Sequence, residues 1–140
     1  MVDARPLTAF AAGHIPGALS IPLRDAFATW LGWLADPGEP LVFVLDDSQD
    51  RADLVLQALK IGYEHLAGEL AGGMPAWTGP TGHVALVPAG QITSPVLDIR
   101  QDAEYGPLTL ICGHGDRAMS AASLLADDWA VATGRPLRTG

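Results

Sequence analysis

Leu41-Val42-Phe43-Val44-Leu45-Asp46-Asp47-Ser48-Gln49-Asp50-Arg51 is the stretch on which the fold turns. Five apolar residues in a row, two of them β-branched, predict a strand buried on both faces, as in the middle of a parallel sheet. A short polar loop follows. A helix is then expected over residues 50–61, carried by Leu54, Leu56, Ala58 and Leu59 and ended by Gly62. The same order recurs downstream. Leu108-Thr109-Leu110-Ile111 predicts a strand, Cys112-Gly113-His114-Gly115-Asp116-Arg117 a loop, and residues 117–126 a helix. Internal similarity of this kind marks a repeated structural unit.

Outward from these two loops, further anchors pair in the same order. Val2-Asp3-Ala4-Arg5 with Phe10 matches Leu97-Asp98-Ile99-Arg100 with Tyr105. Gly72-Gly73-Met74-Pro75-Ala76-Trp77 matches the lone Trp129. The second copy is shorter between every pair of anchors, losing sequence near Thr93-Ser94, Tyr105-Gly106 and Ala126-Asp127. One nearly complete unit (residues 1–82) and one abridged unit (83–140) are therefore expected.

In the first unit, strands are predicted at residues 1–4, 18–22, 41–45 and 65–70. Helices are predicted at 8–12 (one turn), 24–34 and 50–61, with a short one at 75–77. Gly13-His14-Ile15-Pro16-Gly17 excludes regular structure and leads into the second strand. Asp36-Pro37-Gly38 stops the second helix. Alternating strands and helices give an α/β class with a mainly parallel sheet flanked by helices. Residues 78–95, rich in Gly, Pro and Thr, read as a linker. In the second unit, residues 95–99 and 108–111 read as strands, and residues 127–140 carry no pattern.

Composition sets the outer bounds. Of 140 residues, 49% are hydrophobic and 17% charged, which supports a folded core rather than disorder. Sixteen acidic against eight basic residues, with no basic stripe, argue against nucleic acid as a partner. The single Cys excludes an internal disulfide and fits a reducing compartment. No apolar run approaches about 18 residues, and no signal pattern opens the chain. A cytoplasmic protein without membrane contact is expected.

The single Cys is the candidate reactive group. Backbone N–H groups of a small loop can point inward as an anion-binding nest, and the following helix adds its positive end. Both favour the thiolate of Cys112, the nucleophilic form. Gly113 and Gly115 allow the backbone angles such a loop needs. Arg117 closes it, and His114 and Asp116 point outward. A lone Cys behind a strand also reads as a small buried hydrophobe. His14 reads as a structural residue bonding nearby backbone, and His65 and His83 as surface or loop residues. Asp3, Arg5, Asp98 and Arg100 read as paired structural charges, and Trp30, Trp33 and Trp77 as core. The four His are scattered singly, and no metal site or cofactor is expected.

These residues resemble the rhodanese-like family. Asp3-Ala4-Arg5, Ala11-Ala12-Gly13-His14-Ile15-Pro16-Gly17-Ala18 and Gly72-Gly73-Met74-Pro75-Ala76-Trp77 are similar to its markers, in its order. Cys112, Gly115 and Arg117 match its Cys-x-x-Gly-x-Arg active loop. The resemblance implies a sulfurtransferase that moves a sulfane sulfur from thiosulfate or a related donor, through a Cys112 persulfide, to a thiol or cyanide. Loop backbone from Gly113 to Arg117 would bind the small anion. The six-residue loop fits sulfur, where one residue more suits phosphate or arsenate. The first copy departs from the pattern. Asp46 stands where the family has Cys, and Asp46, Asp47 and Asp50 would repel a sulfur oxyanion, so a silent, scaffolding copy is expected. The pairing is similar to tandem modules attached to metallo-β-lactamase-fold proteins that process persulfides. That keeps a second reading open, a non-enzymatic appendage of such an enzyme. An incomplete second sheet would also leave an edge open to pairing with a second copy or an associated domain.

Overall fold

A computed structural model describes residues 1–88, 91 and 131–133. In chain order the elements are β1 (Val2–Asp3), α1 (Leu7–Ala12), β2 (Leu19–Ser20), α2 (Phe27–Leu34), β3 (Leu41–Val44), α3 (Arg51–Lys60), β4 (Leu66–Glu69), a 3-10 turn (Met74–Ala76), β5 (Leu86–Pro88) and β6 (Val131–Thr133). Four strands form one sheet in the order β2-β1-β3-β4, and every pair is parallel. Parallel neighbours need crossover connections. α1 supplies the one from β1 to β2, α2 the one from β2 to β3, and α3 the one from β3 to β4. The expected α/β class with flanking helices is what the chain adopts.

The alternation of β3 sorts the helices. Leu41 and Phe43 belong to one apolar cluster with Val2, Ala4, Phe27 and Leu31 of α2, and Leu54 and Ala58 of α3. Val44 belongs to the opposite cluster, with Phe10 and Ala11 of α1, Ile15 and Ala18. Successive strand residues face opposite sides, so α2 and α3 cover one face of the sheet and α1 the other. β4 is an edge strand. Its register slips between Leu41 and Val42, and Gly68 takes up the irregularity at φ 134°.

Local chemistry explains where the helices end. Asp50 caps α3, its Oδ1 accepting from the amides of Ala52 (2.8 Å) and Asp53 (3.3 Å). At the other end Gly62 (φ 84°) donates to the Leu59 carbonyl and Tyr63 to that of Ala58. This is a Schellman closure with its hydrophobic contact between Ala58 and Tyr63. Burial, and secondarily the charge of Asp36, raises the Tyr63 hydroxyl above its ordinary pKa. That hydroxyl lies 2.7 Å from the Ala35 carbonyl and 3.1 Å from that of Leu31, fastening the end of α2. α2 begins at Phe27, not Arg24, and is entered through a turn in which Phe27 donates to the Arg24 carbonyl (2.8 Å).

Three expectations need correction. Residues 78–88 are no free linker. Gly82 pairs with His14 through both backbone hydrogen bonds, Val84 donates to the Ala11 carbonyl, and Val84 is buried against Phe10 and Val44. The C-terminal carbonyls of α1 need partners, and this segment supplies donors without any hydrophobic periodicity to announce it. Residues 127–140 are not wholly irregular, since Val131–Thr133 forms β6 and pairs in parallel with β5, Leu86 opposite Val131. Trp33 is not core: it is 61% exposed and leans edge-on against Trp30, their ring centroids 5.2 Å apart. The strands expected at 95–99 and 108–111 and the helix at 117–126 lie outside the described residues, as do the three sites of lost sequence. Among the described residues no helix is long and apolar enough to cross a membrane.

Asp3 and Arg5 form a buried pair at the end of β1. Arg5 Nε donates to Asp3 Oδ1 (2.9 Å) and Nη2 to Oδ2 (2.6 Å), and the Arg5 amide also reaches Oδ1. Nη2 goes on to the carbonyl of Gly13 (2.8 Å). Asp3→Ala strands a guanidinium away from water and is expected to cost about 3–5 kcal/mol. Urea unfolding of the variant checks this; a loss below about 1 kcal/mol would show that the pair carries little.

Candidate active-site loop

Residues 46–50 leave the carboxyl end of β3 and enter α3. Crevices outside the carboxyl ends of parallel strands are where open α/β sheets bind ligands. The loop is wound around one guanidinium. Arg51 Nη1 donates to the carbonyls of Asp46 (2.9 Å), Asp47 (3.2 Å) and Gln49 (2.8 Å), and its Nε reaches Glu69 Oε2 on β4 (3.1 Å). Arg51 thus holds three loop carbonyls together, while the Gln49 amide closes a turn onto the Asp46 carbonyl (3.1 Å).

Gln49 is the second strut. Its Oε1 accepts from the Asp46 amide (2.9 Å), and its Nε2 donates to the Ala4 carbonyl (2.7 Å). The loop is thereby tied to β1, next to the Asp3–Arg5 pair. Below it sits the Gly72-Gly73 turn, with φ 74° and 59°. A Cβ on Gly72 would lie 2.8 Å from that of Ala76, and one on Gly73 3.2 Å from the Leu45 carbonyl. Glycine is required at both. The turn delivers Met74 and Trp77 onto the cluster of Phe10 and Val44, and Trp77 Nε1 donates to the Pro80 carbonyl (2.9 Å).

On the other side of the strand ends, Pro16-Gly17 makes a tight turn. Gly17 sits at φ 81°, and Ala18 donates to the Ile15 carbonyl (3.0 Å). Pro followed by a residue of positive φ is the type II arrangement. His14 is buried, as its structural reading requires. Its ring stacks on Phe10 (3.9 Å between centroids, 7° between planes), and Nδ1 lies 3.1 Å from the Phe10 carbonyl. A carbonyl only accepts, so Nδ1 carries the proton. His83 Nδ1 meets the Ala12 carbonyl (2.7 Å) from an exposed position. The Asp3 and Arg5 charges are paired, as their sequence reading held.

The arrangement is a formed loop with a carboxylate, not a thiol, at its first position. Asp46 is half-buried at the strand end, and Asp47 and Asp50 are exposed. Asp50 is already committed to capping α3. A carboxylate at 46 cannot carry a sulfur atom, and three carboxylates along one loop repel an anionic donor. Among the described residues no group of three His, Cys, Asp or Glu side chains could hold a metal ion. Cys112, Gly113, His114, Gly115, Asp116 and Arg117 lie outside the described residues. Sequence reasoning found Arg51 through its match to Arg117. It did not find Gln49 or Glu69, which no spacing marks; a polar residue inside a loop that follows a buried strand was the only available signal for Gln49.

Residues 1–80 match the family model described as Rhodanese-like domain. Two solved structures are similar. The Rhodanese_3 like domain of the Alr3790 protein from Anabaena sp. is 27% identical, with a TM-score of 0.50 over 59% of this chain and 88% of that one. A second structure of the Alr3790 protein from Anabaena sp. is 26% identical, with a TM-score of 0.49 over 59% of this chain and 67% of that one. No curated protein matches the chain.

Arg51→Ala should release the three carbonyls and cost about 1–2 kcal/mol, and Arg51→Lys should recover little of it, since a point charge cannot replace the fork. Unfolding of both variants, with amide exchange over residues 46–50, checks this. Equal stability of Lys and Arg at this position would contradict the guanidinium's role.

Proposed function

The chain belongs to the rhodanese-like domain family, and we propose that it is a tandem module whose first unit is a catalytically silent scaffold and whose second carries a sulfane sulfur on Cys112. The observation that carries this reading is the sequence Cys112-Gly113-His114-Gly115-Asp116-Arg117, set against the geometry of Asp46–Arg51. The two loops have the same length, follow apolar runs and end on Arg. Arg51 supports the role assigned to Arg117, which is to gather loop carbonyls so that amides turn toward the first loop residue. In the second loop that residue is a thiol instead of a carboxylate.

The chemistry runs in two displacements. The Cys112 thiolate attacks the outer sulfur of thiosulfate; the new S–S bond forms as the old one breaks, and sulfite leaves with the electron pair. An acceptor thiolate or cyanide then attacks the outer sulfur of the Cys112 persulfide. The thiolate of Cys112 departs, and the acceptor leaves as persulfide or thiocyanate. Backbone amides of residues 113–117 stabilise the negative charge throughout. No metal or cofactor is needed to balance either step. His114 and Asp116 face the donor or acceptor.

Asp46 motivates a second reading, in which both units serve as an interaction appendage of a persulfide-processing enzyme of metallo-β-lactamase fold. A phosphatase or arsenate reductase is disfavoured by loop length. Thiosulfate:cyanide assay of the wild type and Cys112→Ser separates these. Sulfur transfer in the wild type, lowered at least about 1,000-fold in the variant, supports the enzyme. Absence of turnover in the wild type favours the appendage. Hydrolysis of an aryl phosphate would point to the third class.

A further inference from the structure

α3 is apolar on two sides. Leu54 and Ala58 face the sheet. Ala52, Val55, Leu56 and Leu59 are exposed, with Leu56 at 56% and Leu59 at 47%. Their spacing, i, i+3, i+4 and i+7, places them on one continuous stripe. Ile61, just past the helix, is also exposed. It meets the backbone of α2 at Gly32, where a Cβ would lie 3.6 Å from Ile61 Cδ1. Trp33, the next residue of α2, is the most exposed of the large apolar side chains in this unit. An exposed apolar stripe of this kind marks an interaction site.

One observation says what covers it. The charges beside the stripe are self-complementary. Asp53 and Lys60 are exposed and seven residues apart, so they share one flank of the helix. In an antiparallel helix pair, like flanks face each other. With the two-fold axis between Val55 and Leu56, Ala52 lies opposite Leu59 of the second copy, and Asp53 falls within half a turn of its Lys60. The symmetry makes each such contact twice. A parallel pair would instead bring unlike flanks together, and Asp53 would not meet Lys60 across the seam.

We propose that the outer face of α3 is a homodimer interface in which two copies of this chain pack α3 against α3 in antiparallel orientation. The stripe supplies the apolar centre and the Asp53–Lys60 pairs set the direction, as flanking charges do in coiled coils. The interface draws on no residue of the proposed chemistry, so its success or failure leaves that chemistry untouched.

Sedimentation velocity of the full chain, over a wide concentration range, is the test. The wild type should sediment at twice the chain mass. Leu56→Asp with Leu59→Asp should weaken association about 30-fold or more, with an unchanged far-UV spectrum because both side chains are exposed. Asp53→Lys and Lys60→Asp should each weaken it, and the double reversal should restore it. A wild type that stays monomeric at every concentration overturns the proposal. So does a dimer indifferent to the Leu56 and Leu59 changes, or single reversals that the double variant fails to rescue.

Discussion

A carboxylate and a guanidinium buried together at the end of the first strand organise this unit. Asp3 has no exposed surface, and Arg5 has almost none. Burying either alone would be prohibitive, so the pair locks both backbones in place. Nη2 of Arg5 also donates to the Gly13 carbonyl, which fixes the exit from α1. The Ala4 carbonyl between them receives Gln49. One short strand therefore positions the Gly-His-Ile-Pro-Gly segment on one side and the polar loop of β3 on the other.

Much of this was legible because the physical signals were local. The apolar run 41–45 that contains β3, the Gly62 stop and the break at Gly13–Gly17 each announce themselves by residue type. The pairing of Asp3 with Arg5 and the structural role of His14 followed from position beside those elements. What sequence could not supply was direction. Leu56 and Leu59 fit the helical pattern of α3 as well as Leu54 and Ala58 do, yet they face outward because the helix has apolar residues on two sides. Trp33 looked like core for the same reason. The segment after Trp77 gave no periodicity, since it is held by backbone groups of α1 and by His14, not by a row of buried side chains. β6 escaped notice because three residues are too few for a pattern.

Loop 46–51 is held by contacts that do not use the side chain at position 46. Arg51 gathers three carbonyls, Gln49 ties the loop to the Ala4 carbonyl, and the glycine turn closes beneath it. A carboxylate at position 46 does not welcome an anion. The second loop's sequence, Cys112 to Arg117, has the same length and the same closing Arg, with a thiol at its first position.

The account stands or falls on where sulfur goes. The most direct measurement is mass spectrometry of the intact chain and its peptides after thiosulfate treatment, before and after a reducing thiol. One added sulfur, about 32 Da, located on Cys112 and removed by the thiol, is the predicted result. A chain that gains no sulfur at Cys112 contradicts the account and leaves a folded rhodanese-like unit without a carrier.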